Sequence, residues 1–167
     1  TIHSVKLQPF KFKPGGLELV LSLEGPAQGS DFEGFWINKD DESKGRHKGQ
    51  VGQVKAGEWA FADGQTTSGI PVKRDDDILK FMKNLCTALG INKWLDDQND
   101  KHDTIESLVA AFDNEKPFAG KAIEYCIAGR EYLNRQGYVN YELFLPKFSK
   151  AGVPFGTSRV ITFNPDE

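Results

Sequence analysis

The segment LELVLSLE, at residues 17–24, constrains the fold more than any other, because its leucines alternate strictly with the residues between them. A period of two places its four leucines on one face of an extended strand and leaves the opposite face mostly polar. Pro14, Gly15 and Gly16 precede this segment and predict a turn. Residues 3–12 are therefore predicted to be its antiparallel partner in a β-hairpin.

Further strand patterns lie on both sides of a central helical block. Short apolar or alternating runs mark them, and turn residues separate them. Asp63 and Gly64 form a dipeptide that is a strong hairpin-turn signal between two of these runs. After the first hairpin, the predicted strands lie at residues 32–38, 50–61, 66–73, 121–132, 138–145 and 159–163.

Residues 75–115 are predicted to be a helical insertion. In DDDILKFMKNLCTALG the apolar residues recur at spacings of three and four, acidic residues favour the helix N-terminus, and Gly90 ends the helix. A short helical turn in INKWLDD and a second helix in TIESLVAAF follow, the latter with Asp103 or Thr104 as N-cap. Ten acidic residues and four lysines give this block a charge of −6, so the remainder of a chain whose net charge is −3 carries +3.

The order of strands, helices and strands predicts a mainly β fold with a helical insertion. An OB-like five-stranded β-barrel has this order, with the helices between the third and fourth barrel strands. An α+β sandwich or another small barrel is the alternative, because pairing beyond hairpins cannot be read from one sequence. With 167 residues and 38% hydrophobic content, we expect a single domain over residues 1–167.

Several kinds of chemistry lack their motifs in this chain. No Lys-Ser or Lys-Thr pair follows Gly45, Gly49 and Gly52 as a phosphate loop requires, and no G-x-G-x-x-G sequence occurs. The three histidines lie far apart, and neither Cys86 nor Cys126 has a ligand partner at short spacing, so neither a metal nor another cofactor is predicted. A nucleophile elbow is also missing. We expect a protein that is not an enzyme, although a carboxylate pair contributed by distant strands stays open.

The apolar segments also bear on the compartment. The sequence has no apolar run that resembles a signal-peptide core and none near the roughly 20 residues that cross a bilayer. The two cysteines are expected to be reduced, buried side chains. We therefore expect no membrane partner and a cytoplasmic location.

Basic and aromatic residues occur together in the frame around the helical block. In KGRHKGQVGQVKAGEWAFADG, at residues 44–64, a cationic glycine-bearing loop leads into an aromatic strand. Cations that follow a phosphate backbone and aromatic faces that receive bases are what binding of a single strand requires. The predicted nucleic-acid-binding residues are Arg46, Lys48, Lys55, Trp59, Lys73, Arg74, Arg130, Tyr132, Arg135, Tyr138, Phe144 and Lys147.

The aromatic residues in this set differ in how well they fit base stacking. Tyr138 and Phe144 are the better candidates, because alternation places them opposite the apolar face of their strand. Trp59 and Tyr132 fit a stacking or a packing role equally well. The phenylalanines assigned to the core are Phe32, Phe35, Phe81, Phe112 and Phe163.

Residues 32–64, TTSGI, ILKFMKNLCTALG and EYCIAGREYLNRQGYVNYELFLPK together resemble a family of small bacteriophage and prophage proteins. These proteins lie in replication and recombination cassettes and are regarded as OB-fold single-stranded-DNA-binding proteins or their relatives. The resemblance implies sequence-independent coating of single-stranded DNA in the bacterial host cytoplasm, without catalysis or cofactor. It also implies replication or recombination proteins as partners, while monomer and homodimer both stay open.

A different class of function remains as the alternative. The chain would then be a protein-interaction or virion-associated β-barrel module that does not bind nucleic acid. Its acidic helices would bind the partner instead.

Overall fold

The structure, a computed structural model, describes residues 1–25, 51–123 and 128–145, and for residues 128–132 and 139–141 it describes the backbone alone. The elements in chain order are β1 (Ile2–Pro9), β2 (Leu17–Glu24), β3 (Val51–Lys55), β4 (Gly64–Gln65), β5 (Pro71–Val72), α1 (Arg74–Leu89), α2 (Asn92–Asp97), α3 (Ile105–Glu115), β6 (Ala128–Leu133) and β7 (Val139–Phe144).

Five of the strands form one mixed sheet in the spatial order β1-β2-β3-β7-β6. Neighbours pair antiparallel except β3 and β7, which run parallel with Lys55 opposite Phe144. Strands β4 and β5 form a separate two-stranded sheet, and the three helices come between β5 and β6 in sequence. The described part of the chain is thus an α+β arrangement. Among its strands no pairing closes the predicted barrel, because β1 and β6 are the outer strands of an open sheet.

The predicted alternation in β2 is confirmed. All four of its leucines are buried, and Leu21 lies opposite Val5 of β1 on one side and Val54 of β3 on the other. The leucine face belongs to one hydrophobic cluster together with side chains of α1 and α3. Because β1 and β2 pair along nearly their whole length, the N-terminal hairpin is confirmed as well.

The helices have the predicted positions and ends. Gly90 follows α1 with φ at 68°, a left-handed conformation that glycine adopts without steric cost. Thr104 caps α3, and its hydroxyl oxygen accepts a hydrogen bond from the Ser107 amide. On the buried face of α3, the Phe112 ring lies 5.0 Å from the Phe118 ring and 5.0 Å from the Trp94 ring. Phe112 is therefore a core residue, as predicted.

Helix α3 also covers the outer edge of β1. The Val5 amide donates a hydrogen bond of 2.9 Å to Asp113 Oδ1, and Lys116 Nζ donates one of 2.7 Å to the His3 carbonyl. An outer strand has unpaired backbone groups that can template association with another chain, and these two side chains satisfy two of them. Asp113 therefore contacts the sheet directly, although it belongs to the acidic helical block.

One strand end and one turn differ from their predicted positions. The strand predicted at 50–61 ends at Lys55, and Phe61 forms only an isolated bridge to Leu17. Gly64 belongs to β4, so the reversal lies beyond it, where the Thr66 amide donates to the Ile70 carbonyl. Asp-Gly favours a tight turn locally, but the Arg74 amide binds the Asp63 carboxylate and holds this segment against the start of α1.

The remaining predictions concern the start of β6, the burial of Phe81 and two segments that the structure does not describe. The strand predicted at 121–132 is wrong at its start, because β6 begins at Ala128. Phe81 packs against the core but is only partly buried. The segments 32–38 and 159–163, with the three phenylalanines assigned to the core there, lie outside the described residues.

Replacing Asp113 by Ala should destabilise the protein, because the part-buried Val5 amide loses its acceptor. The expected loss is about 1–3 kcal/mol in the free energy of unfolding, measured by urea denaturation with circular dichroism. Asp97→Ala is the matched control, since it removes the same charge from an exposed ion pair with Lys93 and should change stability little. Equal losses in the two variants would contradict the edge-covering role of Asp113.

Candidate nucleic-acid interface

The loop that joins β1 to β2, residues 10–16, is called the tip loop. Backbone hydrogen bonds close it, from the Phe10 amide to the Gly16 carbonyl at 2.9 Å and from the Gly16 amide to the Lys13 carbonyl at 3.0 Å. Gly15 has φ at 74°, and a Cβ at Gly16 would lie 3.0 Å from the Lys13 carbonyl oxygen. Both glycines are therefore required by the backbone path, which holds the loop in one conformation.

The tip loop is attached to the chain segment that leads into α1. Arg74 Nη1 donates a hydrogen bond of 3.0 Å to the Gly15 carbonyl, and the Leu17 and Phe61 backbones exchange two bonds of 2.8 and 2.9 Å. These contacts bring together residues that are far apart in sequence. The tip surface, as we define it, consists of Lys11, Phe12, Lys13, Trp59, Lys73 and Arg74.

Two aromatic side chains on the tip surface are open to solvent. Phe12 is 79% exposed and Trp59 is 68% exposed. The Phe12 ring contacts the Phe10 ring edge to face, with centroids 5.5 Å apart, and this packing favours one orientation of the Phe12 ring. Lys11 and Lys13 flank Phe12 and are also exposed. An exposed aromatic face between cations is the arrangement that base stacking beside phosphates requires.

Sequence reasoning identified Trp59, Lys73 and Arg74 but missed the tip loop. The prediction of a strand over residues 3–12 makes Phe12 an ordinary strand residue, whereas the structure ends β1 at Pro9 and places Phe12 in the loop. The signal was present in the sequence KFKPGG, where an aromatic residue between two lysines adjoins a turn.

Arg74 has mainly a structural role in this arrangement. Its guanidinium donates to Asp75 at 2.6 Å and to Glu106 at 3.2 Å, in addition to the Gly15 carbonyl. The hydrogen bond to Asp75 raises the pKa of Arg74 above its usual value. Three of its donors are thus directed at protein acceptors, and a role of Arg74 as a phosphate ligand stays a prediction.

Lys55 is likewise engaged within the protein. Its ammonium group lies 2.5 Å from Glu18 Oε1 and forms a second ion pair with Glu142, so one cation joins β2, β3 and β7. Burial opposes the charge on Lys55, but hydrogen bonds from Lys55 to Glu142 and Glu18 outweigh burial and raise its pKa above the usual value. Two carboxylates already neutralise Lys55, which disfavours a phosphate contact, and its role as a phosphate ligand stays a prediction.

Phe144 is not a stacking platform. It shares a strand face with Glu142, as alternation predicts, but its side chain is only 6% exposed. Burial of this ring leaves no open face for a base. For Arg130 and Tyr132 the structure gives the backbone of β6 alone, and Arg46, Lys48 and Lys147 lie outside the described residues.

The turn between β6 and β7, residues 134–138, is called the far turn. Asn134 Oδ1 accepts hydrogen bonds from the amides of Gln136 and Tyr138, and this side chain stabilises the turn. Arg135 is exposed, and Tyr138 is 67% exposed. Both predicted binding residues of this turn are therefore accessible.

The far turn and the tip loop lie at opposite ends of the sheet. Strand β2 starts at the tip loop, β3 runs antiparallel to β2, and β7 runs parallel to β3, so the start of β7 is remote from the tip loop. The five residues of β3 alone span about 16 Å. The outer face of β2 and β3, opposite the leucine face, connects the two ends.

The helices carry the opposite charge. A cavity of about 810 Å³, the helical cleft, lies among α1, α2 and the residues that lead into α3. Its lining includes one lysine, Lys83, and five aspartates, Asp75, Asp76, Asp96, Asp100 and Asp103. Among the described residues no group of three or more His, Cys, Asp and Glu side chains is arranged to hold a metal ion.

Cys86 lies in the core under the helices. Burial raises the pKa of its thiol to about 12, with a smaller contribution from Asp96. A thiol with this pKa is protonated at neutral pH and is a poor nucleophile.

Comparison of the chain with models of protein families, with curated proteins and with solved structures finds no match. In the part of the chain that the structure describes, no helix is both long enough and apolar enough to cross a bilayer.

Replacing Lys55 by Met should destabilise the protein at neutral pH, because the partly buried carboxylates of Glu18 and Glu142 would face each other without a cation. We expect a loss of about 1–2 kcal/mol at pH 7, less than the 3–5 kcal/mol of a fully buried pair because the cluster is partly exposed. The repulsion requires both carboxylates to be ionised, so the loss should shrink as the pH falls towards about 4. Urea unfolding at both pH values measures the difference.

Lys55→Arg is the control for this prediction, because it keeps a cation between the two carboxylates. Its stability should depend on pH as that of the unmodified protein does. A loss in Lys55→Met that does not vary with pH would indicate a packing role for the lysine stem instead.

Proposed function

We propose that this protein binds single-stranded DNA without strict dependence on sequence, along a path from the tip loop across the outer face of β2 and β3 to the far turn. The observation that carries the proposal is the tip surface, where Phe12 and Trp59 are exposed and the exposed Lys11 and Lys13 flank Phe12 in the tip loop. Binding of this kind combines cations along the backbone with aromatic faces for bases.

The sheet topology supports an OB-like assignment as part of this proposal. The five-stranded sheet has its third and fifth strands in parallel contact, and the helices are inserted between its third and fourth strands. An OB-fold is a five-stranded Greek-key barrel that binds oligonucleotides on strands 2 and 3 and on the loops that follow strands 1 and 4. In this chain those loops are the tip loop, with Lys11, Lys13 and exposed Phe12, and the far turn, with Arg135 and exposed Tyr138.

The charge distribution favours the same orientation of the ligand. The tip surface carries three lysines and no acidic residue, whereas five aspartates and one lysine line the helical cleft. A polyanion is attracted to the first region and repelled by the second, which steers association towards one side. Within the proposal, Arg46, Lys48, Arg130 and Lys147 stay predicted phosphate contacts from the sequence alone. Coating of single strands during phage replication or recombination in a bacterial cytoplasm is the proposed biological role. No catalytic step is part of it.

Binding of oligo-dT should weaken with salt, with a log-log slope of about −0.7 per phosphate contacted. The double variant Lys11→Ala and Lys13→Ala removes two cations next to Phe12, so its slope should be shallower by about 1.4. Fluorescence anisotropy of a labelled oligonucleotide at several salt concentrations measures both quantities.

The matched control is the double variant Lys80→Ala and Lys93→Ala, which removes the same charge from the exposed surface of α1 and α2. Its slope should stay that of the unmodified protein. An equal effect of both double variants would assign the change to net charge rather than to the tip surface, and no binding at low salt would overturn the proposed function.

Phe12→Ala should weaken oligo-dT binding by about five- to 150-fold, since a base-aromatic stack contributes roughly 1–3 kcal/mol. Phe12→Leu is the matched variant that keeps apolar size and removes the aromatic face, and it should lose nearly as much affinity. Because Phe12 is so exposed, the thermal midpoint of both variants should stay nearly unchanged. Full affinity in Phe12→Leu would indicate that the side chain contributes only apolar contact area.

A second function is favoured by the helical cleft. Its five aspartates and single lysine line an acidic cavity of about 810 Å³. Such a cavity is complementary in charge to a cationic segment of a protein partner. In this alternative the chain is an interaction module and does not bind nucleic acid. The oligo-dT titration distinguishes the two functions, because only the first predicts a salt-dependent DNA complex.

A further inference from the structure

A groove of about 840 Å³ lies beside the tip loop on the outer face of the sheet, and we call it the tip groove. The Phe10 and Phe12 rings and the Lys11 side chain line one side of it. Its volume is within the roughly 300–1,000 Å³ that is usual for sites that enclose small organic groups. The groove opens next to the aromatic face to which the proposed function assigns a base.

The rest of the lining includes Glu18, Lys55 and Glu142. These three side chains form the ion cluster across β2, β3 and β7, and Gln8 Nε2 donates a further bond of 3.0 Å to Glu18 Oε2. The Glu18 side chain is 11% exposed and the Glu142 side chain 17% exposed. Both carboxylates are therefore held in place before any ligand binds, and reorganisation on binding is small.

The charge of this cluster is wrong for a phosphate. Two carboxylates and one ammonium give the cluster alone a charge of −1, and Lys11 brings the charge of the whole lining only to zero, so the groove does not attract a phosphodiester. It is suited to the opposite hydrogen-bonding partner, because each carboxylate oxygen has two acceptor sites. Glu18 accepts one bond from Lys55 and one from Gln8, so it retains capacity for a donor that enters the groove.

We propose that the tip groove receives one nucleobase of the bound strand, stacked on Phe12, and that Glu18 and Glu142 accept hydrogen bonds from its exocyclic amine. This inference rests on the proposed function and adds a base preference to it. Cytosine and adenine carry such an amine, whereas thymine and uracil have a carbonyl oxygen at the corresponding position. A carbonyl facing two carboxylates makes no hydrogen bond and is repelled, so binding should favour cytosine over uracil.

The test compares oligo-dC with oligo-dU of equal length by fluorescence anisotropy, at one salt concentration and pH 7.5. Both are weakly stacked pyrimidine strands, so the base edge is their main difference. We expect oligo-dC to bind about tenfold more tightly, since a carboxylate contact to the cytosine amine discriminates at this level. An oligonucleotide of N4,N4-dimethylcytosine, which lacks the donor, should bind like oligo-dU, and this arm uses the unmodified protein.

Two variants locate the preference. Glu142→Gln and Glu18→Gln each replace a fixed acceptor by an amide that can also donate to a carbonyl oxygen. In each variant the ratio of the oligo-dC affinity to the oligo-dU affinity should therefore fall to about one. Glu24→Gln is the matched control. It makes the same charge change on the same face of β2, but near the far end, where Glu24 binds His3 at 2.6 Å. Its affinity ratio should stay at about ten.

The outcomes separate the inference from the function on which it rests. Equal binding of oligo-dC and oligo-dU by the unmodified protein overturns the base preference and leaves DNA binding intact. A preference for oligo-dC over oligo-dU that is unchanged in both Glu18→Gln and Glu142→Gln overturns the assignment of this preference to the tip groove. Failure to bind either oligonucleotide at low salt overturns the proposed function and this inference with it.

Discussion

The packing of the β2 leucine face against the helices is the constraint on which the rest of the structure depends. Strand β2 is paired on both sides, with β1 and with β3, and its leucines lie in the same hydrophobic cluster as Met82 of α1 and Phe112 of α3. Burying these side chains is worth roughly 1.5–3 kcal/mol each. Since the inner face is thus committed to the core, any ligand of the sheet must approach from the outer face or from the loops at its ends.

The ion cluster at Lys55 and the edge contact at Asp113 show two different uses of charge in this framework. Asp113 and Lys116 satisfy backbone groups of an outer strand, which limits unwanted association along that edge. Lys55 joins three strands through ion pairs with Glu18 and Glu142 on the outer face. A lining without these carboxylates would attract a polyanion more strongly. The carboxylates that accompany Lys55 place acceptors beside an aromatic residue, and this pairing is the basis of the proposed base preference.

The candidate site could be predicted from the sequence only in part. Trp59 and Tyr138 were identified by their basic or turn neighbours, and both are exposed. Lys55 and Arg74 were identified by charge alone, but charge does not reveal which cations are already paired within the protein. Phe144 was assigned by strand alternation, which gives the face of a strand correctly but does not say what covers that face. Phe12 was missed because a hairpin partner and its loop look alike until the end of the strand is known.

Local patterns in the sequence determined the N-terminal hairpin, the three helices with their Thr104 and Gly90 ends, and the turn before β7, because each depends on interactions between residues close in the chain. Only the tertiary structure decided the parallel contact of β3 with β7, the attachment of the tip loop to the start of α1, and the ion cluster that neutralises Lys55. Among these contacts, Gly15 and Arg74 are 59 positions apart, and Lys55 and Glu142 are 87 positions apart. At such separations the partner of a side chain is set by the packing of the leucine face and not by its neighbours in sequence.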